Sequence, residues 1–165
     1  MKILVDADSC PKQARDLTLR RACKLSLRII FAANRSIPCE CEINGRVMRA
    51  EMAICSASEN SADDYIAESA NSGDLAVTRD VPLAKRLIEK GVSVIDDRGR
   101  VFTPDNINEM LSLRNFKVGL ADNGLEIERI SNYGRKELKS FADSLDKALT
   151  KLLTRRFQDT GSESV

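Results

Sequence analysis

The chain has 165 residues, 42% of them apolar and 31% charged, and a net charge of +1. That length suits one domain with a sizeable core, and the near-neutral charge gives no global reason to expect a nucleic-acid or membrane partner. There is no histidine, which removes Ser-His-Asp triads, Cys-His pairs and histidine-ligated zinc together. Acid–base work near neutral pH then falls to carboxylates, lysine, cysteine or a metal-bound water.

The first apolar run, Lys2-Ile3-Leu4-Val5, reads as a short buried strand that Asp6 ends at once. It is too short for a targeting or membrane segment, so a cytoplasmic location is expected. Pro11 suits the first turn of a helix, and Ala14, Leu17, Leu19, Ala22 and Leu25 give helical spacing over residues 11–25. Leu27 to Phe31 reads as a second strand. Asn44-Gly45 is a hairpin signal, and Met52-Ala53-Ile54 a further strand candidate. Residues 61–71 read as a helix whose opening, Ser61-x-x-Asp64, resembles a capping box.

Residues 75–78 form the next strand. Asp80 is a good N-cap for a helix over 81–90, with Pro82 in its first turn and Gly91 as its stop. Val92 to Ile95 is another strand, and the acidic pair Asp96-Asp97 is assigned to the turn that follows, with Arg98-Gly99-Arg100. Pro104 starts a helix of roughly ten residues. Residues 120–133 have no clear period, 134–156 a long helical one, and 158–165 form a polar tail expected to be disordered. The expected layout is one α/β domain over residues 1–157, three-layered, with helices on both sides of a mostly parallel sheet.

The five cysteines, Cys10, Cys23, Cys39, Cys41 and Cys55, are odd in number and form no C-x-x-C pair. They read as packing residues rather than a disulfide or zinc framework.

Parallel sheets bind ligands beyond the carboxyl ends of their strands. Asp6 and Asp8 follow the first strand, Asp80 follows the strand at 75–78, and Asp63 and Asp64 open a helix. Gathered carboxylates must hold protons or share a cation, and Mg²⁺ or Mn²⁺ accepts oxygen ligands alone. The metal set expected is Asp6, Asp8, Asp64 and Asp80, with Asp63 or Asp64 completing the shell or positioning water. The bland alternatives stand beside this: Asp80 as an N-cap alone, and Asp63-Asp64 as a charged first turn. Capping does not explain Asp6-x-Asp8.

Val5-Asp6-Ala7-Asp8-Ser9-Cys10-Pro11, Ala33-Asn34, Ser61-Ala62-Asp63-Asp64-Tyr65-Ile66 and Thr78-Arg79-Asp80-Val81-Pro82-Leu83-Ala84 together resemble the bacterial YaiI/YqxD family, with Asp97-Arg98-Gly99, Asn106-Ile107 and Leu113-Arg114 continuing the likeness. The match runs from about residue 2 to 150. That family is similar to PIN-like (PilT N-terminus) domains, metal-dependent ribonucleases with an acidic cluster at a sheet rim. The resemblance implies a PIN-like fold and nuclease activity with catalytic Asp6, Asp8, Asp63, Asp64 and Asp80. Ser9, Thr78, Asn34 and Lys12 would meet water or substrate phosphate, although Asn34 could equally shape a turn.

Basic residues crowd the first helix and its flanks (Lys12, Arg15, Arg20, Arg21, Lys24, Arg28) and the last (Arg135, Lys136, Lys139, Lys147, Lys151, Arg155, Arg156). They could attract a phosphate backbone or simply form solvated faces. The expected partners are RNA and, as an option, a second copy of the chain as a homodimer, without a membrane. Two other functions fit the acids. One is a haloacid-dehalogenase-type phosphatase with Asp6 as nucleophile. The other is a non-catalytic RNA- or partner-binding module with a degenerate site.

Overall fold

Apolar runs of three to six residues, too short for helices, supply the centre of the molecule. In the computed structural model, which describes residues 1–58, 60–125 and 132–162, these are β1 (Lys2–Asp6), β2 (Arg28–Ala33), β5 (Glu51–Ile54), β6 (Leu75–Val77) and β7 (Ser93–Ile95). With β8 (Val101–Phe102) they form a six-stranded sheet in the order β5-β2-β1-β6-β7-β8. All neighbours are parallel except β7 and β8. Asn44 and Gly45, both at positive φ (51° and 73°), turn a separate hairpin of β3 (Glu40–Ile43) and β4 (Arg46–Arg49), as the Asn-Gly pair predicts.

Strand alternation divides the core into two layers. Ile3, Val5, Ile29, Phe31, Leu75 and Val77 face one side. There they meet Ala14, Leu19 and Ala22 of α1 (Lys12–Lys24) and Phe141, Leu145, Leu149 and Leu152 of α5 (Arg135–Ser162). Leu4, Ile30, Ala32 and Ala76 face the other. They pack against α2 (Ser61–Ser69), α3 (Val81–Glu89) and the start of α4 (Ile107–Asp122). The result is the expected three-layer α/β architecture.

Three local expectations are corrected and a fourth is extended. The proposed capping box at Ser61 does not form: Asn60, in the left-handed region, precedes α2 without a side-chain cap, and the Ser61 hydroxyl donates instead to Asn34 and the Ser56 carbonyl. Helix α4 begins at Ile107 rather than Pro104 and is 16 residues long, because Asn106 and Thr103 close a turn of their own first. Helix α5 runs to Ser162, past the point where the polar tail was expected. The turn expected at Asp96-Asp97 forms, Asp96 accepting from the amides of Arg98 and Arg100, and the Asp97 side chain is in addition buried against Arg79. Residues 126–131 of the segment without clear period, and 163–165, lie outside the described residues.

Candidate functional site

The chain leaves β1 toward β2 and β5 on one side, then returns to place β6 on the other. The carboxyl ends of β1 and β6 therefore flank a topological switch point, where connecting loops diverge and leave a crevice. Asp6 is the last residue of β1, and its parity with Leu4 turns it to the α2/α3 side. Thr78 follows β6 in parity with Ala76, so it meets Asp6 across the switch.

Asp6 is buried, and its Oδ2 accepts hydrogen bonds from Ser9 Oγ at 2.6 Å and Thr78 Oγ1 at 3.0 Å. Thr78 Oγ1 accepts in turn from the Asp80 amide at 3.0 Å, which directs its own proton to Asp6. The Ser9 backbone amide is a further donor to the same carboxylate. Burial raises the carboxyl's pKa, the two hydroxyls and the Ser9 amide oppose that rise, and the charge of Asp8 adds to it.

Asp80 caps α3, its Oδ1 accepting from the Leu83 amide at 2.7 Å. The capping reading is thus realised, and it leaves Oδ2 without a described donor. Asp63, half-buried on the first turn of α2, forms no hydrogen bond with a described residue. Burial first, then the charges of Asp80 and Asp6, push its pKa up to about 6. Asp6, Asp63 and Asp80 therefore share one electrostatic neighbourhood.

The other proposed residues are placed differently. Asp64 points to solvent and pairs with Arg86 at 2.8 Å. Asp8 Oδ2 accepts from the Asn34 amide at 2.7 Å, and its Oδ1 lies 3.8 Å from Arg35. Asn34 accepts from Ser61, so Asp8, Asn34 and Ser61 link the ends of β1 and β2 to the start of α2. Lys12 is exposed and pairs with Asp16 one helical turn away.

Three contributors were not singled out from the sequence. Arg15, counted there only as a basic helix residue, donates from Nη1 to the carbonyls of Ala7 and Cys10, both at 2.9 Å, and so pins the loop that carries Asp8 and Ser9. Arg79, between Thr78 and Asp80, forms a bidentate pair with buried Asp97. Tyr133 donates to the Asp97 carbonyl at 2.7 Å. An apolar strand followed by Thr-Arg-Asp, and another by Asp-Asp, was the available signal for the Arg79–Asp97 pair.

Much of the basic character of α1 and its flank is already committed. Arg21 pairs with Asp146 and Arg28 with Glu51. All five cysteines are free thiols, and burial raises the pKa of Cys10 far enough to keep it inert. A groove of about 500 Å³ beside β7, β8 and α5, lined by Val94, Phe102, Lys147 and Lys151 among others, includes none of the rim carboxylates. No helix among the described residues is long and apolar enough to cross a membrane.

Among the described residues, no three acidic or thiol side chains are grouped closely enough to enclose a metal ion by themselves. The donor chemistry nevertheless fits a hard cation held more loosely. Beside Asp6, Asp80 Oδ2 and the Asp63 carboxylate have no described donor, and Mg²⁺ commonly takes one or two carboxylates and completes its shell with water.

Residues 4–151 match the family described as "Uncharacterized BCR, YaiI/YqxD family". The chain belongs to the YaiI/YqxD family. A UPF0178 protein of Treponema denticola is 48% identical over 160 residues, which cover 97% of this chain and 99% of that protein. UPF0178 proteins of Treponema pallidum and Myxococcus xanthus are 43% and 40% identical, covering 99% and 93% of this chain and 91% and 97% of their own lengths. No solved structure matches. The span matched to the YaiI/YqxD family takes in every rim acid from Asp6 to Asp80 and ends within α5.

Proposed function

We propose that this YaiI/YqxD family member is a divalent-metal-dependent phosphodiesterase acting on RNA, with its reaction centre at the crevice between β1 and β6. The observation that carries this reading is Asp6. It is buried at the switch point, held by the Ser9 and Thr78 hydroxyls, and shares its electrostatic neighbourhood with Asp63 and Asp80. A PIN-like nuclease is the activity that the family resemblance implies for such a rim.

On this reading Asp6 and Asp80 hold the cation. A bound Mg²⁺ or Mn²⁺ supplies a Lewis acid that lowers the pKa of water and neutralises charge on the phosphoryl group. Ser9 and Thr78 keep Asp6 in one rotamer. Asp63, with its pKa pushed up to about 6 in the metal-free chain, orients the attacking water and takes up its proton. Asp8, Asn34 and Arg15 brace the loop that carries Ser9. Arg35, with its side chain 78% exposed beside Asp8, meets the phosphate backbone. A phosphatase using Asp6 as nucleophile and Asp8 as acid is less well served, because the Asn34 amide already occupies Asp8 Oδ2.

The test is cleavage of single-stranded RNA, structured RNA, single-stranded DNA and a phosphomonoester panel with Mn²⁺ or Mg²⁺. Asp6→Asn and Asp63→Asn are expected to lower RNA cleavage by about 10²-fold or more, in line with losing a group that stabilises the transition state. Asp64→Asn is expected to retain it. Cleavage that persists in Asp6→Asn overturns the reading, and phosphate trapped on Asp6 replaces it with the phosphatase.

A further inference from the structure

One end of the sheet is thinly covered. β8, only two residues long, forms the edge beyond β7, and α5 packs against β7. The groove of about 500 Å³ lies between these elements. A cleft of that volume falls in the range of small-molecule sites.

The sheet side of the groove is apolar. Ile95 and Phe102 are buried there, Val101 is 47% exposed, and Pro104 continues the surface. The helix side is cationic. Ser144, Lys147, Ala148 and Lys151 stand at i, i+3, i+4 and i+7, so they form one stripe of α5 along the groove. That stripe is about 10 Å long.

The charges are of one sign. No described acidic residue lines the groove. Lys147 and Lys151 are exposed, and neither forms an ion pair with a described residue. Asp146, the acid next to Lys147 in sequence, is already paired with Arg21. Two ammonium groups one helical turn apart repel each other, and an anion seated between them relieves that repulsion. A bare anion leaves the apolar side unused, and a neutral apolar molecule leaves the lysines unpaired. A ligand that satisfies both carries one negative group on an apolar body.

We propose that the groove between β8 and α5 binds a small organic monocarboxylate of medium chain length, its carboxylate between Lys147 and Lys151 and its alkyl chain against Val101, Phe102 and Pro104. The site shares no residue with the rim of Asp6, Asp63 and Asp80. It takes its ligand whether or not a cation is bound at that rim.

Amide NMR titration of the full chain with octanoate, 1-octanol and acetate tests this. Octanoate is expected to shift the amides of β7 and β8 saturably at millimolar concentration. 1-Octanol, of the same chain length without the charge, is expected to bind about fivefold more weakly or worse, and acetate to leave these amides unmoved. The double variant Lys147→Glu/Lys151→Glu, at two exposed positions, is expected to weaken octanoate about tenfold or more. Its affinity for 1-octanol and its unfolding curve are expected to stay as in the wild type. Val101→Asp is expected to weaken both ligands. No saturable shift with octanoate, equal binding of octanoate and 1-octanol, acetate binding as tightly as octanoate, or octanoate affinity that survives the double reversal would each overturn the proposal.

Discussion

On α2, Asp63 shares its stripe with Ile66, Ala67 and Ala70, all buried, whereas Asp64 shares its own with exposed Glu68. The i, i+3, i+4, i+7 pattern thus distinguishes the two acids, and it was present in the sequence. Its consequence is a pH dependence with a definite sign. Asp63 in the folded chain holds its proton up to about pH 6, while the unfolded chain releases it near 4. The contribution of Asp63 to stability is therefore full below about pH 4 and is lost as pH rises through about 6. In metal-free buffer, Asp63→Asn is expected to stabilise the protein by about 1 kcal/mol at pH 8, discounted for the partial exposure of the site, and by nothing at pH 4. Urea unfolding at the two pH values checks this. An equal gain at both would show that the effect is not electrostatic.

At the scale of elements, α5 contributes none of the rim acids but supplies Phe141, Leu145, Leu149 and Leu152 to the layer beneath the sheet. Leu149→Ala is expected to cost about 2–5 kcal/mol, the range for emptying a packed core position, and to leave any activity at low temperature intact. Chemical denaturation together with an assay of the surviving folded protein measures both. The strands were legible because Ile3-Leu4-Val5 and Ile29-Ile30-Phe31 are unbroken apolar runs, and the α3 cap was legible because Asp80 precedes Val81-Pro82. The start of α2 at Ser61 was legible too, but its capping was not, because whether Ser61 caps depends on Asn34, a residue brought near only by the fold. The pairing of Asp97 with Arg79 was hidden for a related reason. Adjacent acids after a strand look alike until Arg79, far away in sequence, claims one of them.

For the whole molecule, the proposed cation site links binding to folding. A ligand that binds only the native chain stabilises it by about 1.4 kcal/mol at ten times its Kd. For a chain of this size that corresponds to about 3–5 °C in Tm. Millimolar Mn²⁺ is expected to produce such a rise in the wild type and none in Asp6→Asn, measured by calorimetry at pH 7.5. A wild type that does not respond would remove the metal from the proposal.

Helix α5 also bears on how the molecule comes into being. It is tied to the turn between β7 and β8 by Ser144 donating to the Gly99 carbonyl, and Gly99, at positive φ, lies so close to the Ser140 backbone that no side chain fits there. On the ribosome, Asp6, Asp63 and Asp80 are all translated before Phe141 and Leu149. Until α5 emerges, Ala14, Leu19 and Ala22 of α1 and the neighbouring strand residues lack their cover, a surface that chaperones bind and that aggregates if left bare. The sheet whose rim carries these carboxylates thus gains the cover of its α1 side last, from a segment that contributes none of them.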